Sequence, residues 1–297
     1  MRPMNSGVLF ALGAYLSWGL FPLYFRQIAS IPALQIVAHR TLWSLVFVTV
    51  VLLVTRNLSW LKQVSAATWR RFALSATLIA INWLTYVWAV GHGHVLDASL
   101  GYFINPLVNV ALGFAVLHER PRPAQWFAVG LAAFGVVWLT VAAGRLPWVA
   151  LVLAVSFGVY GLMRKTAKLG AIEGLTLETL VLAPLALGGL IWWSLDGSMA
   201  NQTAVDWAWL IGTGPVTAGS LLLFAAGARR IPLSTLGLVQ YVSPSLQFLL
   251  GVFLFHEPMS ASRLVAFGFI WGALAVYSAE GIWLSQQTRR ALTVKPI

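Results

Sequence analysis

The sequence predicts an all-α polytopic membrane protein whose ten transmembrane helices form two inverted five-helix repeats. Three observations carry that prediction: a composition poor in charge, ten apolar runs of spanning length, and a repeat offset by 138 residues that pairs His118 with His256. The chain has 297 residues, 59% hydrophobic and 9% charged, with a mean hydropathy of +0.82. Soluble domains carry about 25% charged residues. So little charge leaves too little polar surface to cover a globule in water, and lipid is the matching solvent.

A span needs about 20 mostly apolar residues. Cutting the chain at its charges gives ten such runs. The first, 7–25, follows Arg2 and stops at Arg26, and is read as a retained span because no small-residue cleavage site follows it. The second, 34–55, stops at Arg56, and the third, 72–91, starts after Arg70 and Arg71. The fourth, 97–117, runs from Asp97 to His118 and Glu119. The fifth, 124–143, lies between Arg122 and Arg145, and the sixth, 146–163, ends at Arg164 after a very short link. The seventh, 174–195, runs from Glu173 to Asp196, and the eighth, 207–228, from Asp206 to Arg229. The ninth, 234–255, ends at His256 and Glu257, and the tenth, 264–284, starts after Arg263. The expected units are a first repeat over 7–143, a second over 146–284 and a cytoplasmic tail over 285–297.

Lys and Arg in the loops set orientation. Fifteen fall on the side of the two termini and three, Arg26, Arg145 and Arg263, on the other, with Arg40 inside a span. That split places both termini in the cytoplasm. The net charge of +11 does not read as a nucleic-acid surface, because the basic residues sit in short loops between apolar runs. Cysteine is absent, so neither a disulfide framework nor thiol chemistry is available.

The repeat is read residue by residue. LSWGLFPLYFR (16–26) meets VSFGVYGLMRK (155–165), with Gly19 on Gly158. NPLVNVALGFAVLHE (105–119) meets SPSLQFLLGVFLFHE (243–257), with Pro106 on Pro244, His118 on His256 and Glu119 on Glu257. Such self-similarity marks duplication. Five spans per half is an odd number, so the second half runs inverted, and inverted repeats are a signature of secondary transporters. The two His-Glu pairs then lie on opposite faces, cannot share one metal, and read as helix-end and turn signals.

Ionisable groups inside spans cost about 2.5–3.5 kcal/mol each on insertion scales, which makes them candidate functional groups. Arg40 is expected about 8 Å below the outer surface, where its planar guanidinium suits a carboxylate or phosphate. His39, about 100° away around the helix, reads as structural. Glu178, the counterpart of Arg40, is a candidate for a cationic group or a coupling proton, near the opposite end of a cavity. Asp97 reads as the N-cap of the fourth span. His92 and His94 form a His-x-His without a third ligand, so no metal site is expected. On the fourth span Tyr102, Asn105 and Asn109 share one helical face, and Gln240, Ser243 and Gln247 repeat that spacing on the ninth. Pro106 and Pro244 release carbonyls beside those stripes, which favours a cavity lining over interhelical bonding alone. Asn82, Trp83, Tyr86 and Trp88 add an aromatic wall from the third span.

The segments AYLSWGLFPLYF, AHRTLWS, NWLTYVWAV, DASLGYFINPLVNVALGFAVLHER and LSTLGLVQYVSPSLQFLLGVFLFHE resemble the RarD proteins of the EamA branch of the drug/metabolite transporter superfamily. The resemblance spans nearly the whole chain, and the fourth-span motif is specific, although it begins here with Asp97 rather than Glu. It implies ten helices in two inverted halves, a bacterial inner-membrane location, and export of small metabolites or drugs through a central cavity. It also brings in chloramphenicol-related compounds as cargo.

The function expected is therefore secondary-active export of small amphipathic, amino-acid-like or drug-like compounds by alternating access. A facilitative channel or a metabolite importer is the alternative, with an intramembrane enzyme behind it. An enzyme would cluster its catalytic residues at one depth, whereas the His and acidic residues here scatter over both faces. No catalytic residue and no cofactor is expected, and no nucleotide-binding motif or soluble domain is found. The expected partners are a small-molecule substrate, the lipid bilayer and protons as a coupling ion, with no nucleic acid, in a monomer or homodimer.

Overall fold

A computed structural model describes residues 6–55, 59–118, 120–167, 169–228, 230–231 and 239–293. Among the described residues there is no strand, and ten helices follow one another. They are α1 (Ser6–Arg26), α2 (Ala33–Val54), α3 (Ala66–Gly91), α4 (Val95–Leu117) and α5 (Pro123–Ala143), with a short 3-10 helix (Ser59–Gln63) before α3. The second half holds α6 (Trp148–Lys165), α7 (Ala171–Leu195), α8 (Ala204–Ala228), α9 (Val242–Leu249, continued by a π turn over Leu250–Leu254) and α10 (Ala261–Thr293). The ninth run's expected start at 234 and Glu119 lie outside the described residues.

Among the described residues eight helices are long and apolar enough to cross a membrane, and 148–164 and Val242–Leu254 are shorter apolar helices. Large apolar side chains such as Val141, Leu185 and Leu195 are exposed on the outside of the bundle. In water such a surface would drive aggregation, whereas in hydrocarbon it is matched to its solvent.

The packing has the symmetry of the repeat. Exchange each helix for the one five places along, and the extensive contacts between the halves map onto one another. Thus α4 against α6 mirrors α9 against α1, α3 against α6 mirrors α8 against α1, and α2 against α8 mirrors α7 against α3. The pairs α2–α7 and α5–α10 map onto themselves. The close approaches repeat as well. A Cβ on Gly19 of α1 would fall 2.7 Å from Leu246 of α9, and one on Gly158 of α6 would fall 2.7 Å from Val108 of α4. Only glycine lets these backbones meet, the small-residue device of membrane helix packing.

Helix ends sort into two sets. At the end where α1 begins, Gly7 abuts Arg230 and Ile231 after α8, and Arg164 at the end of α6 bonds Gly170 before α7. At the other, distal end, Arg263 in the first turn of α10 reaches Asp97 at the start of α4. Gln35 of α2 there bonds Ser198 and Gln202 in the α7–α8 loop.

The histidines of both His-Glu pairs sit at helix ends. His118 (φ 55°) and His256 (φ 51°) adopt the left-handed conformation in the turns that follow α4 and the π turn. That conformation stops a helix. Asp97 is not the N-cap of α4: that position is His94, which makes no side-chain cap. Asp97 instead accepts from His94 Nδ1 at 2.9 Å and from Arg263 Nη2 at 3.1 Å. The cap comes from the other half. Glu257 accepts the backbone N–H groups of Val95 and Leu96 at 2.6 and 2.9 Å. A carboxylate at a helix N-terminus satisfies orphan donors and meets the positive end of the helix dipole.

Candidate functional site

Arg40 is the eighth residue of α2, two turns from its start, and is 4% exposed. Its Nε donates to Thr217 Oγ1 on α8 at 2.9 Å. Its guanidinium carbon lies 4.2 Å from the centre of the Trp83 ring, with Phe25 at 5.4 Å and Phe21 at 5.7 Å. Aromatic faces attract a cation more strongly where water is excluded. Among the described residues no carboxylate pairs with Arg40. The charge is therefore held by ring faces and one hydroxyl, with no acceptor for its outer nitrogens among the described residues.

Glu178 is likewise the eighth residue of α7 and is 1% exposed. Ser75 Oγ of α3 donates to Oε1, and Tyr160 Oη of α6 donates to Oε2 at 3.2 Å. Arg164 Nη1 lies 3.9 Å away. Arg164 itself is anchored by Gly170 O at 2.9 Å and by the Phe72 ring. Arg40 and Glu178 therefore have separate partners. A row of rings joins them. From Phe25, over which Arg40 sits, the contacts run to Tyr86, Tyr102, Phe157 and Tyr160, whose hydroxyl reaches Glu178. The Tyr86 hydroxyl is buried without a hydrogen-bond partner among the described residues.

The polar side chains of the α4 and α9 stripes bond neighbouring helices and one another. Tyr102 Oη donates to Asn82 Oδ1 at 3.3 Å, and Asn82 Nδ2 donates to Leu153 O and Ser156 Oγ of α6. Asn105 Nδ2 donates to Ala154 O, and Asn109 Nδ2 to Asn105 Oδ1. On α9, Gln247 Nε2 reaches Ser243 Oγ at 3.3 Å and Trp18 O at 3.2 Å. Trp18 lies four residues before Pro22, whose ring removes the helical donor to that carbonyl. Gln247 supplies the replacement, while its own Oε1 is buried without a partner among the described residues. Gln240 lies just before α9, partly buried. Trp88 is stacked between His92 (4.5 Å) and His94 (5.3 Å), so the His-x-His packs on a ring at the end of α3. Among the described residues no cluster of three potential ligands could hold a metal.

Comparison with known proteins agrees with this architecture. The EamA-like transporter family matches residues 5–141. An uncharacterized transporter of Pseudomonas aeruginosa is 48% identical over 289 residues, 95% of this chain and 96% of that protein. Protein RarD of Escherichia coli is 44% identical over 294 residues, 97% of this chain and 99% of that protein. The chain belongs to the EamA-like transporter family. A solved crystal structure at 21% identity shares its fold, with a TM-score of 0.60 over 94% of this chain and 98% of the other.

In this EamA-like transporter, Asn82, Trp83, Tyr86 and Tyr102 lie around the ring row, with Arg40 and Glu178 at its ends. Asn105 and Asn109 bond one another and α6, and Ser243 and Gln247 bond one another and α1. Sequence reasoning missed Thr217, Ser75, Tyr160 and Arg164, because each contributes only through tertiary contact. The repeat carried a faint signal for Tyr160, since its segment aligns with the aromatic stretch of α1.

Proposed function

We propose that this EamA-like transporter is a secondary exporter of small amphipathic compounds that carry an anionic group beside an apolar body. The observation that carries the reading is Arg40, buried on the face of Trp83 with no carboxylate partner among the described residues. A buried charge held without a counter-ion is costly, and an anionic ligand is the partner that offsets the cost. The aromatic row gives the apolar body a matching surface. Glu178, at the far end, is the candidate site for the coupling proton. The exchange symmetry of the two halves supports alternating access as the mechanism. The chain lies in a bacterial inner membrane with both termini in the cytoplasm.

The test compares compounds secreted by cells that overproduce the wild type, Arg40→Ala, Glu178→Gln or an empty vector, at matched membrane levels. Chloramphenicol is included as an added cargo. An anionic amphiphile that accumulates outside only with the wild type supports the proposal. Secretion identical to the empty vector overturns export, and normal secretion by Arg40→Ala overturns the assigned site.

A further inference from the structure

At the distal end of the bundle the two halves of the chain are joined by a cluster of charges. Arg263 Nη2 donates to Asp97 Oδ1 at 3.1 Å and to Oδ2 at 3.3 Å. Oδ2 also accepts from His94 Nδ1 at 2.9 Å. Arg263 is held in turn by Pro258 O at 3.0 Å, and Glu257 caps the same start of α4 at Val95 and Leu96. His94 and Asp97 belong to the first half, and Glu257, Pro258 and Arg263 to the second. The bonds of Glu257 and Arg263 to α4 must therefore break before the halves separate at this end.

A titratable group sits inside this contact. The side chains of Asp97 and Arg263 are 15% and 16% exposed, whereas that of His94 is 27% exposed and meets solvent. The His94 ring lies flat on Trp88, with 5.3 Å between centres and 13° between planes, and His92 stacks on the same indole at 4.5 Å. Imidazole is the side chain that ordinarily changes charge between pH 5 and 8.

Charge decides the sign. With His94 neutral, two negative groups, Asp97 and Glu257, face one positive group, Arg263. A proton on His94 balances them, puts a charge at both ends of the bond to Asp97, and lays a cation on the Trp88 face. His94 is the N-cap of α4, where the helix dipole opposes a cation, but Glu257 already covers the first N–H groups there. Arg263 also opposes it, but across the carboxylate that both share. The remaining titratable groups at these helix ends are His92 after α3, Arg145 before α6 and His256 after the π turn. Among the described residues no hydrogen bond or ion pair joins them to Asp97. Elsewhere the distal end is tied by neutral groups, Gln35 to Ser198 and to Gln202.

We infer that His94 makes this contact an acid-closed latch: a proton taken up from the distal side locks α4 to the α9–α10 turn, and its loss frees the halves to separate. A proton bound more tightly in the closed form than in the open form favours closure at low pH, and that stabilisation is lost as the pH rises. The latch acts on the conformational equilibrium and needs no cargo, so it stands or falls independently of export.

The experiment reads the Glu257 cap directly, by hydrogen–deuterium exchange at the Val95 and Leu96 amides. It uses the full chain in phosphatidylcholine nanodiscs, with intrinsic exchange rates divided out. Between about pH 5.5 and about pH 8, the range of imidazole titration, their protection is expected to fall about ten-fold, the effect of one unit of linkage. Amides in the middle of α4 stay unchanged and report that the helix is folded. His94→Gln is expected to show equal protection at both pH values. Asp97→Asn, which removes the partner of the proton's charge, is expected to do the same with His94 in place. His92→Gln and His256→Gly are expected to keep the wild-type fall. Equal protection at both pH values in the wild type overturns the latch. So does a fall that survives in folded His94→Gln or Asp97→Asn, or one that His92→Gln or His256→Gly abolishes.

Discussion

Glu257 caps a helix that begins 162 residues before it: its Oε1 lies 2.6 Å from the N–H of Val95, and its Oε2 takes the next N–H, that of Leu96. The bond crosses from the second repeat to the first at the distal end of the bundle. Val95 and Leu96 are fully buried, so no water replaces the carboxylate. Glu257→Ala is expected to lower stability by about 2–4 kcal/mol, two charge-assisted bonds offset by partial relaxation. Glu257→Gln keeps one acceptor and is expected to lose about half of that. Unfolding in detergent, followed by circular dichroism, measures both. Equal stability of Ala and wild type would show that the cap carries no energy.

The histidine before it makes a different prediction. His256 holds φ 51° and His118 holds φ 55°. Glycine takes this conformation without strain, and a β-branched residue does not. His256→Gly is therefore expected to match or exceed the wild type by up to about 1 kcal/mol, and His256→Val to lose about 1–2 kcal/mol. Transport by His256→Gly stays at the wild-type level, because the residue ends a helix and performs no chemistry. Lost transport in a stable His256→Gly protein would sink that reading.

These two residues show what the sequence discloses. The His-Glu echo is legible as a helix-end signal because local conformation and duplication both act on adjacent residues. The partner of Glu257 is not legible, since the N–H groups of Val95 and Leu96 lie in the other half of the chain. Asp97 illustrates the cost: its position suits a local cap, but the distant Glu257 supplies that cap and Asp97 pairs with Arg263. Spans were legible because hydropathy needs no partner. Helix ends were not legible where charge interrupts the apolar run. α3 starts at Ala66 rather than 72, and α10 runs to Thr293 rather than 284, because helices continue through arginine-bearing turns that leave the apolar layer. The depth of Arg40 and Glu178 in their helices was legible, whereas Thr217, Ser75 and Tyr160 were not.

The paired close approaches predict paired defects. A Cβ on Gly19 meets Leu246 and one on Gly158 meets Val108. Gly19→Ala and Gly158→Ala are each expected to cost about 1–3 kcal/mol, the usual penalty of overpacking. Leu246→Ala should rescue Gly19→Ala and leave Gly158→Ala unimproved, which a double-mutant cycle of thermal unfolding reads directly. Rescue of the wrong partner would contradict the packing.

Arg40 is expected to resist replacement by lysine. Its planar group lies over Trp83 at 4.2 Å while its Nε bonds Thr217. A lysine ammonium is a point charge, strongly hydrated, and cannot keep both contacts. Arg40→Lys should reduce transport of an anionic cargo at least ten-fold in proteoliposomes, with Thr217→Val nearer two- or three-fold for one lost hydrogen bond. Wild-type rates in Arg40→Lys would mean that net charge, not ring stacking and geometry, is what the cargo reads.

At the other end of the row, a substitution at Gly174 perturbs Glu178 without touching a charged residue. A Cβ on Gly174 would overlap the guanidinium of Arg164, which lies 3.9 Å from Glu178 and is bonded to Gly170 O. The arginine is a flexible arm, so Gly174→Ala should displace it for about 1 kcal/mol rather than unfold the helix. Glu178 then keeps Ser75 and Tyr160 but loses its cation. If Arg164 sets the charge state of Glu178 during transport, Gly174→Ala and Arg164→Ala give the same altered dependence of transport rate on pH, and Gly174→Ser follows them. Ser75→Ala removes a neutral donor instead and should shift that dependence in the same direction by less, because a hydroxyl stabilises a carboxylate more weakly than a guanidinium. A wild-type pH profile in Gly174→Ala, with Arg164→Ala altered, would show that the arginine finds Glu178 from another rotamer and that Gly174 is a packing residue alone.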